Sequence, residues 1–171
     1  LLGYPRFAAQ GGDWGAFVTS RLGYAHADRL HGIHLNLLAV RRDPKMVENP
    51  TADEKVFLAQ LDHFLKEETG YQWIQGTKPQ TLAFGLTDSP AGLAAWLVEK
   101  FHTWTDCRGD LDGYLGRDTM LTDIMLYWVT GTINSAMRLY YESIGPSRAP
   151  APMDMPFITV PTAHARFPAE I

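Results

Sequence analysis

One cysteine, Cys107, is all that the chain contains. No internal disulfide can form, and a fold without covalent staples fits a reducing compartment, so the expectation is a cytoplasmic protein. Runs of Lys or Arg are also missing, and the net charge of -4 leaves no electrostatic footprint for nucleic acid or anionic lipid. Nowhere does the sequence approach the ~20 apolar residues of a membrane span. The opening Leu1-Leu-Gly-Tyr-Pro5 lacks the charged and apolar regions of a signal peptide. An initiator Met is absent, and the first segment runs directly into strand-like Phe7-Ala8-Ala9-Gln10. Together with an equally abrupt end at Ile171, this reads as an internal piece of a longer domain.

What is present is apolar material: 46% hydrophobic and 20% charged residues over 171 positions, the composition of a globular chain able to bury a core. With polyanions and membranes excluded, the expected partner is a small molecule. Residues 7 to 35 read as strand, turn, helix and strand, with Ala16 to Leu22 helical and Leu30 to Leu35 extended, which is one βαβ unit. A break carrying Arg41, Arg42, Pro44 and Pro50 follows, and the chain then becomes helical for about ninety residues by periodicity. Such a shift marks an insertion.

The insertion opens at Thr51-Ala-Asp-Glu54, where a Thr hydroxyl and a Glu three residues on can satisfy each other's free backbone N–H groups. Phe57, Leu61, Phe64 and Leu65 form the stripe of this first helix. A second helix starts at Ser89-Pro90 and offers Leu93, Trp96, Leu97 and Phe101; Gly70 to Thr87 lies between the two. Leu121, Ile124, Met125 and Trp128 mark a third, and Ile133, Met137, Tyr140 and Ile144 a fourth that stops at Gly145-Pro146. Ser147 to Pro156 reads as a linker, and Phe157 to Val160 as the next strand. The resulting division is core at 1–36, helical insertion with its linkers at 37–148, and return to the core at 149–171.

The chemistry concentrates at Gly11-Gly12-Asp13-Trp14-Gly15. A residue flanked two positions away by small neighbours, after a strand and before a helix, has the pattern of a nucleophile elbow. Side chains at the flanking positions are expected to collide with the backbone of so sharp a turn. Its tip lies at the carboxyl end of a strand, where open α/β sheets bind ligands. A carboxylate there would attack an alkyl carbon and form an ester. The Trp14 backbone N–H, at the positive end of the following helix, is the expected donor to the oxyanion formed when water attacks that ester. The competing reading is a helix N-cap after a tight turn, a position that also favours Asp.

Together with the elbow, Gly70-Tyr-Gln-Trp-Ile-Gln-Gly-Thr-Lys-Pro79, Asp88-Ser-Pro-Ala-Gly-Leu-Ala-Ala-Trp96, Glu99-Lys-Phe101 and Arg138-Leu-Tyr-Tyr-Glu142 resemble, in order and spacing, the epoxide hydrolases of the α/β-hydrolase superfamily. The microsomal and juvenile-hormone type and its bacterial relatives are the nearest in pattern. The resemblance implies an α/β fold: a partial α/β-hydrolase core of parallel strands with the elbow, carrying a helical lid insertion. It implies Asp13 as nucleophile and two lid tyrosines, Tyr71 and Tyr140, that bind and protonate the epoxide oxygen. Helix periodicity independently places Tyr140 on the stripe of Ile133 and Met137, with Tyr141 about 100° away. The acid that orients the family's histidine falls on Glu170, while the six histidines of the chain match no part of the pattern. Trp73, Phe84, Trp96 and Trp104 are the expected apolar lining.

The implied partners are a small apolar epoxide and water, with no cofactor, no metal and no nucleic acid; a homodimer stays open. Two rival readings also stay open. Haloalkane dehalogenases share an Asp-Trp-Gly elbow, but a departing halide needs no proton and hence no paired phenols. A non-catalytic binding module of hydrolase fold is opposed by the stability cost of a buried carboxylate with no reactive role.

Overall fold

The computed structural model describes residues 3–38, 45–145 and 157–167. Its residues form two compact units, one of Leu1–Phe64 with Ala151–Ile171 and the other of Leu65–Pro150. Among the described residues, no helix is long and apolar enough to cross a membrane.

The first unit is built on a parallel sheet. Strand β1 (Phe7–Gly11) leads through a three-stranded arrangement with β2 (Leu30–Leu35) at the centre and β3 (Thr162–His164) beyond it. Helix α1 (Trp14–Ala25) and a single 3₁₀ turn (Ala27–Arg29) connect β1 to β2, as parallel strands require a crossover. The apolar side chains explain the packing: Ala16 and Leu30 are fully buried with Ile33 and Leu35, and Ile158 and Val160 pack against them. The sequence reading of Phe157–Val160 as the strand is corrected here. Those residues supply apolar cover, while pairing with β2 starts later, where Ile33 N donates to Pro161 O at 2.9 Å and Thr162 faces Ile33. Proline has no N–H to give a ladder, so regular pairing begins just after it.

After α2 (Lys45–Glu48), α3 (Ala52–Glu67) begins at the expected reciprocal cap. Thr51 N donates to Glu54 Oε2 at 2.8 Å, and Glu54 N donates to Thr51 Oγ1 at 3.3 Å. Of its expected stripe Leu61 is buried, whereas Leu65 is exposed. The boundary between the compact units falls inside this helix.

The second unit is all helical: α4 (Gly70–Thr77), α5 (Pro79–Asp88), α6 (Pro90–Trp104), α7 (Leu111–Leu115), α8 (Arg117–Thr130) and α9 (Ile133–Ile144). Proline at the first position of α5 and α6 starts each without forfeiting a hydrogen bond, and the Ser89 hydroxyl caps α6 by accepting from Gly92 N at 3.0 Å. Leu93 and Met137, both at 0% exposure, centre a core with Ala83, Leu86, Ile124 and Ile133. Burying each such large side chain contributes about 1.5–3 kcal/mol. In α8 the buried face is set by Met120 and Ile124, with Tyr127 and Trp128 partly buried; Leu121 and Met125 of the expected stripe are exposed. Both registers are apolar in sequence, and packing against α6 selects one.

Helices α4 and α9 meet at glycines. A Cβ on Gly145 would lie 2.2 Å from Tyr141 O and 2.8 Å from Gly76 O, while one on Gly76 would touch Ile144. Tyr71 and Tyr140 stand on the same two helices, each five residues before the glycine of this contact.

Candidate active site

At the sheet end of the first unit, Asp13 follows β1 and precedes α1 with φ 47° and ψ -126°. That backbone state is unfavourable for a residue with a Cβ, at a cost of about 1–3 kcal/mol, and it persists only where the surroundings enforce it. Here the enforcement is steric. Gly11 lies so close to the first turn of α1 that a Cβ on it would be 2.1 Å from Gly15 O and 2.6 Å from Thr19 Oγ1; one on Gly12 would be 3.2 Å from Asn36 Cβ. The expected collision is thus one-sided, because a Cβ on Gly15 meets nothing within 4 Å. Gly11 has to be small because Gly15 comes near it.

Asp13 occupies the N-cap position of α1, yet its side chain makes no capping hydrogen bond, so the N-cap account does not explain the residue. Its side chain is also exposed. The stability argument drawn from a buried carboxylate therefore has no basis in this chain, and the strained backbone replaces it as the reason to assign Asp13 a task. Trp14 takes the first helical position, with its ring tilted 48° against Phe17 at 6.0 Å. Its N–H stands at the start of α1, at the positive end of the helix dipole. On the adjacent strand ends, Gln10 Nε2 donates to Asn36 Oδ1 at 2.9 Å.

The second unit brings Tyr71 and Tyr140 together, their rings edge to face at 79° with centroids 5.5 Å apart. Gln72 Nε2 donates to the Tyr71 hydroxyl at 3.0 Å; a phenol that accepts in this way keeps its own proton to donate. Trp104 joins the pair, 5.6 Å from Tyr71 at 64°. Tyr141 faces elsewhere and lines a separate hollow with Thr77, Lys78, Asn134 and Arg138. The other expected lining residues are dispersed: Trp96 packs against the helical core, while Trp73 and Phe84 are 73% and 70% exposed.

Sequence reasoning quoted Glu99-Lys-Phe101 only as part of the resemblance and gave no role to Lys100, Glu99 or Glu68. Lys100 Nζ lies 2.8 Å from Glu68 Oε2 and 3.1 Å from Glu99 Oε2. Trp104 Nε1 donates to the same Glu68 oxygen at 2.9 Å. Burial opposes the Lys100 ammonium, but hydrogen bonds to Glu68 and Glu99 outweigh it and raise the pKa above the ordinary lysine value. A further signal was Lys100, a charge set within the apolar stripe of α6.

No family model matches the chain. It is 37% identical over 190 residues to epoxide hydrolase 1 of Sus scrofa, an alignment covering 99% of the chain and 42% of that protein. The structure superimposes on the juvenile hormone epoxide hydrolase of the silkworm Bombyx mori with TM-score 0.75 and 34% identity, over 95% of the chain and 43% of that one. For the Aspergillus niger epoxide hydrolase the values are 0.77 and 31%, over 98% and 41%. Over nearly its whole length the chain is similar to a segment of these epoxide hydrolases. It spans about two fifths of the length of these relatives, and its parallel sheet with a helical insertion is a partial α/β-hydrolase fold.

The acid and the base of the expected triad complete the inventory. Glu170 lies outside the described residues. His26 closes α1, His31 and His34 lie on β2, His164 ends β3, and His63 and His102 are exposed on α3 and α6. A group able to hold a metal, with three or more His, Cys, Asp or Glu side chains, is absent among the described residues.

Proposed function

We propose that the full-length protein bearing this chain hydrolyses an epoxide to a vicinal diol through an ester on Asp13. The observation that carries the reading is the meeting of Tyr71 and Tyr140 at 5.5 Å in a chain whose elbow presents a carboxylate. Asp13 attacks a ring carbon, the C–O bond breaks, and the electron pair goes to the oxygen. Two phenols beside that oxygen stabilise the developing alkoxide and supply its proton. Water then cleaves the ester, with the Trp14 N–H facing the oxyanion at a helix start. Glu170 is assigned as the acid that orients a histidine base, and the base is assigned to sequence outside this chain, because none of the six histidines fits the role. Trp104 beside the tyrosines favours an apolar substituent on the epoxide.

The test is a single turnover of styrene oxide by the full-length protein in H₂¹⁸O. Ester formation predicts that the first diol carries unlabelled oxygen from the carboxylate and that ¹⁸O appears in the Asp13 peptide. Label in the first diol itself, label in another peptide, or chloride release from a haloalkane without diol formation overturns the reading.

A further inference from the structure

Beside Tyr71 lies an arrangement that the proposed reaction does not by itself require. Lys100 and Trp104 stand one turn apart on α6, and both direct their polar atoms to one oxygen of Glu68, at 2.8 and 2.9 Å. Glu68 sits between α3 and α4, three residues before Tyr71. The ammonium lies 5.1 Å from the centroid of the Trp104 ring and 5.8 Å from that of Tyr71. Tyr71 is thereby bounded by Trp104, by Tyr140 and by a cation. The ion pair is largely covered, with side-chain exposures of 22% for Lys100 and 15% for Glu68.

A covered ion pair is a poor stability device, because desolvation offsets most of its attraction and apolar replacements often serve as well. Its value here is geometric and electrostatic. The Trp104 ring and the Lys100 ammonium, fixed on a shared carboxylate, hold the Tyr71 ring from one side while Tyr140 meets it edge to face, which limits its rotation as a hydroxyl donor needs for in-place proton delivery. A cation over the Tyr71 ring is attracted by the ring's negative face, and the attraction grows as the phenol gives up its proton and the ring gains charge.

We infer that Glu68 and Lys100 are positioning residues for Tyr71, acting through Trp104 and the ring face during epoxide opening and not during ester hydrolysis. This rests on Tyr71 being a proton donor to the epoxide oxygen.

The experiment uses the full-length protein with styrene oxide and rapid quenching, so that ester formation and ester hydrolysis are timed separately. Lys100→Met keeps the aliphatic stem and removes the charge; ester formation should slow about tenfold with hydrolysis unchanged, and Lys100→Arg should recover most of the loss. In a Tyr71→Phe background Lys100→Met should cost less than about twofold, the mark of coupled residues. Glu68→Gln, which keeps an oxygen acceptor for Trp104, should slow the same step less than Lys100→Met does, and it serves if Lys100→Met does not fold. Equal slowing of both steps, or an undiminished effect in the Tyr71→Phe background, overturns the inference and leaves the proposed reaction standing. An unchanged rate in Tyr71→Phe alone overturns the role of Tyr71 first.

Discussion

The elbow and the tyrosine cluster are organised in opposite ways. At the elbow, backbone sterics do the work: Gly11 is pressed to Gly15 O, and Asp13 is held at φ 47° with its side chain uncovered. In the helical unit, backbones are ordinary at the tyrosines, and side chains from four places in the chain converge: Glu68, Tyr71, Lys100 with Trp104, and Tyr140. A site written in backbone geometry tolerates almost no change at a few positions. A site written in side-chain contacts spreads its dependence and loses function by degrees.

The sharpest way to break this contrast is at the nucleophile. Asp13→Asn keeps the shape of the elbow and removes the charge, so ester formation in the full-length protein should fall by at least about 10³-fold, a loss of about 4 kcal/mol in transition-state stabilisation. Intact-mass detection of the trapped ester measures it, and ester at full yield in the variant would remove Asp13 from the mechanism. Next come the two glycines. Gly11→Ala places a Cβ 2.1 Å from Gly15 O, far inside van der Waals contact, and a loss of about 3 kcal/mol or more in unfolding free energy is expected from overpacking against rigid backbone. Gly15→Ala fills open space inside a helix, where Ala is favoured by about 1 kcal/mol. Equal destabilisation by both would contradict the one-sided packing. For the tyrosines, Tyr71→Phe and Tyr140→Phe should each slow ester formation about 10- to 100-fold without stopping it, because the second phenol remains; complete loss from either single change would mean that the two do not share the task.

The same contrast explains what could be read from the amino acids alone. Gly11-Gly12-Asp13-Trp14-Gly15 is local, so its pattern names the turn, and Thr51 with Glu54 and Ser89 with Pro90 name helix starts for the same reason. Tyr140 was legible because one helical stripe, Ile133 and Met137, shows which way it faces. The errors lie where partners are distant. Strand β3 was displaced because Ile158 and Val160 are apolar without being paired. The stripe of α8 was half misread: Ile124 and Trp128 do pack on the core, but Leu121 and Met125 are exposed and Met120 and Tyr127 take their place, because two apolar stripes were available. Two helices within Gly70 to Thr87 went unresolved, although Pro79 marks the second start. Glu68 was invisible, since no local pattern ties a glutamate to a tryptophan 36 positions later.

The smallest predicted effect checks that the two regions are distinct from the rest of the scaffold. At the start of α3 the Glu54 pKa is lowered from its ordinary value, first by the Thr51 backbone N–H and then by the Thr51 hydroxyl. A carboxyl whose folded pKa is depressed stabilises the fold above its unfolded value of about 4.3 and loses that contribution as pH falls through the folded value. Glu54→Gln keeps an oxygen acceptor but cannot titrate, so its unfolding curve should lie slightly below that of the parent at neutral pH and converge with it in acid. Thr51→Ala should lower the melting temperature slightly at every pH, because it removes a cap that holds whether or not Glu54 is charged. Neither change touches Asp13, Tyr71 or Tyr140, and both half-reaction rates should be unaltered. A change in ester formation from Thr51→Ala would mean that the start of α3 is mechanically coupled to one of the two regions, and that the side-chain cluster depends on backbone geometry after all.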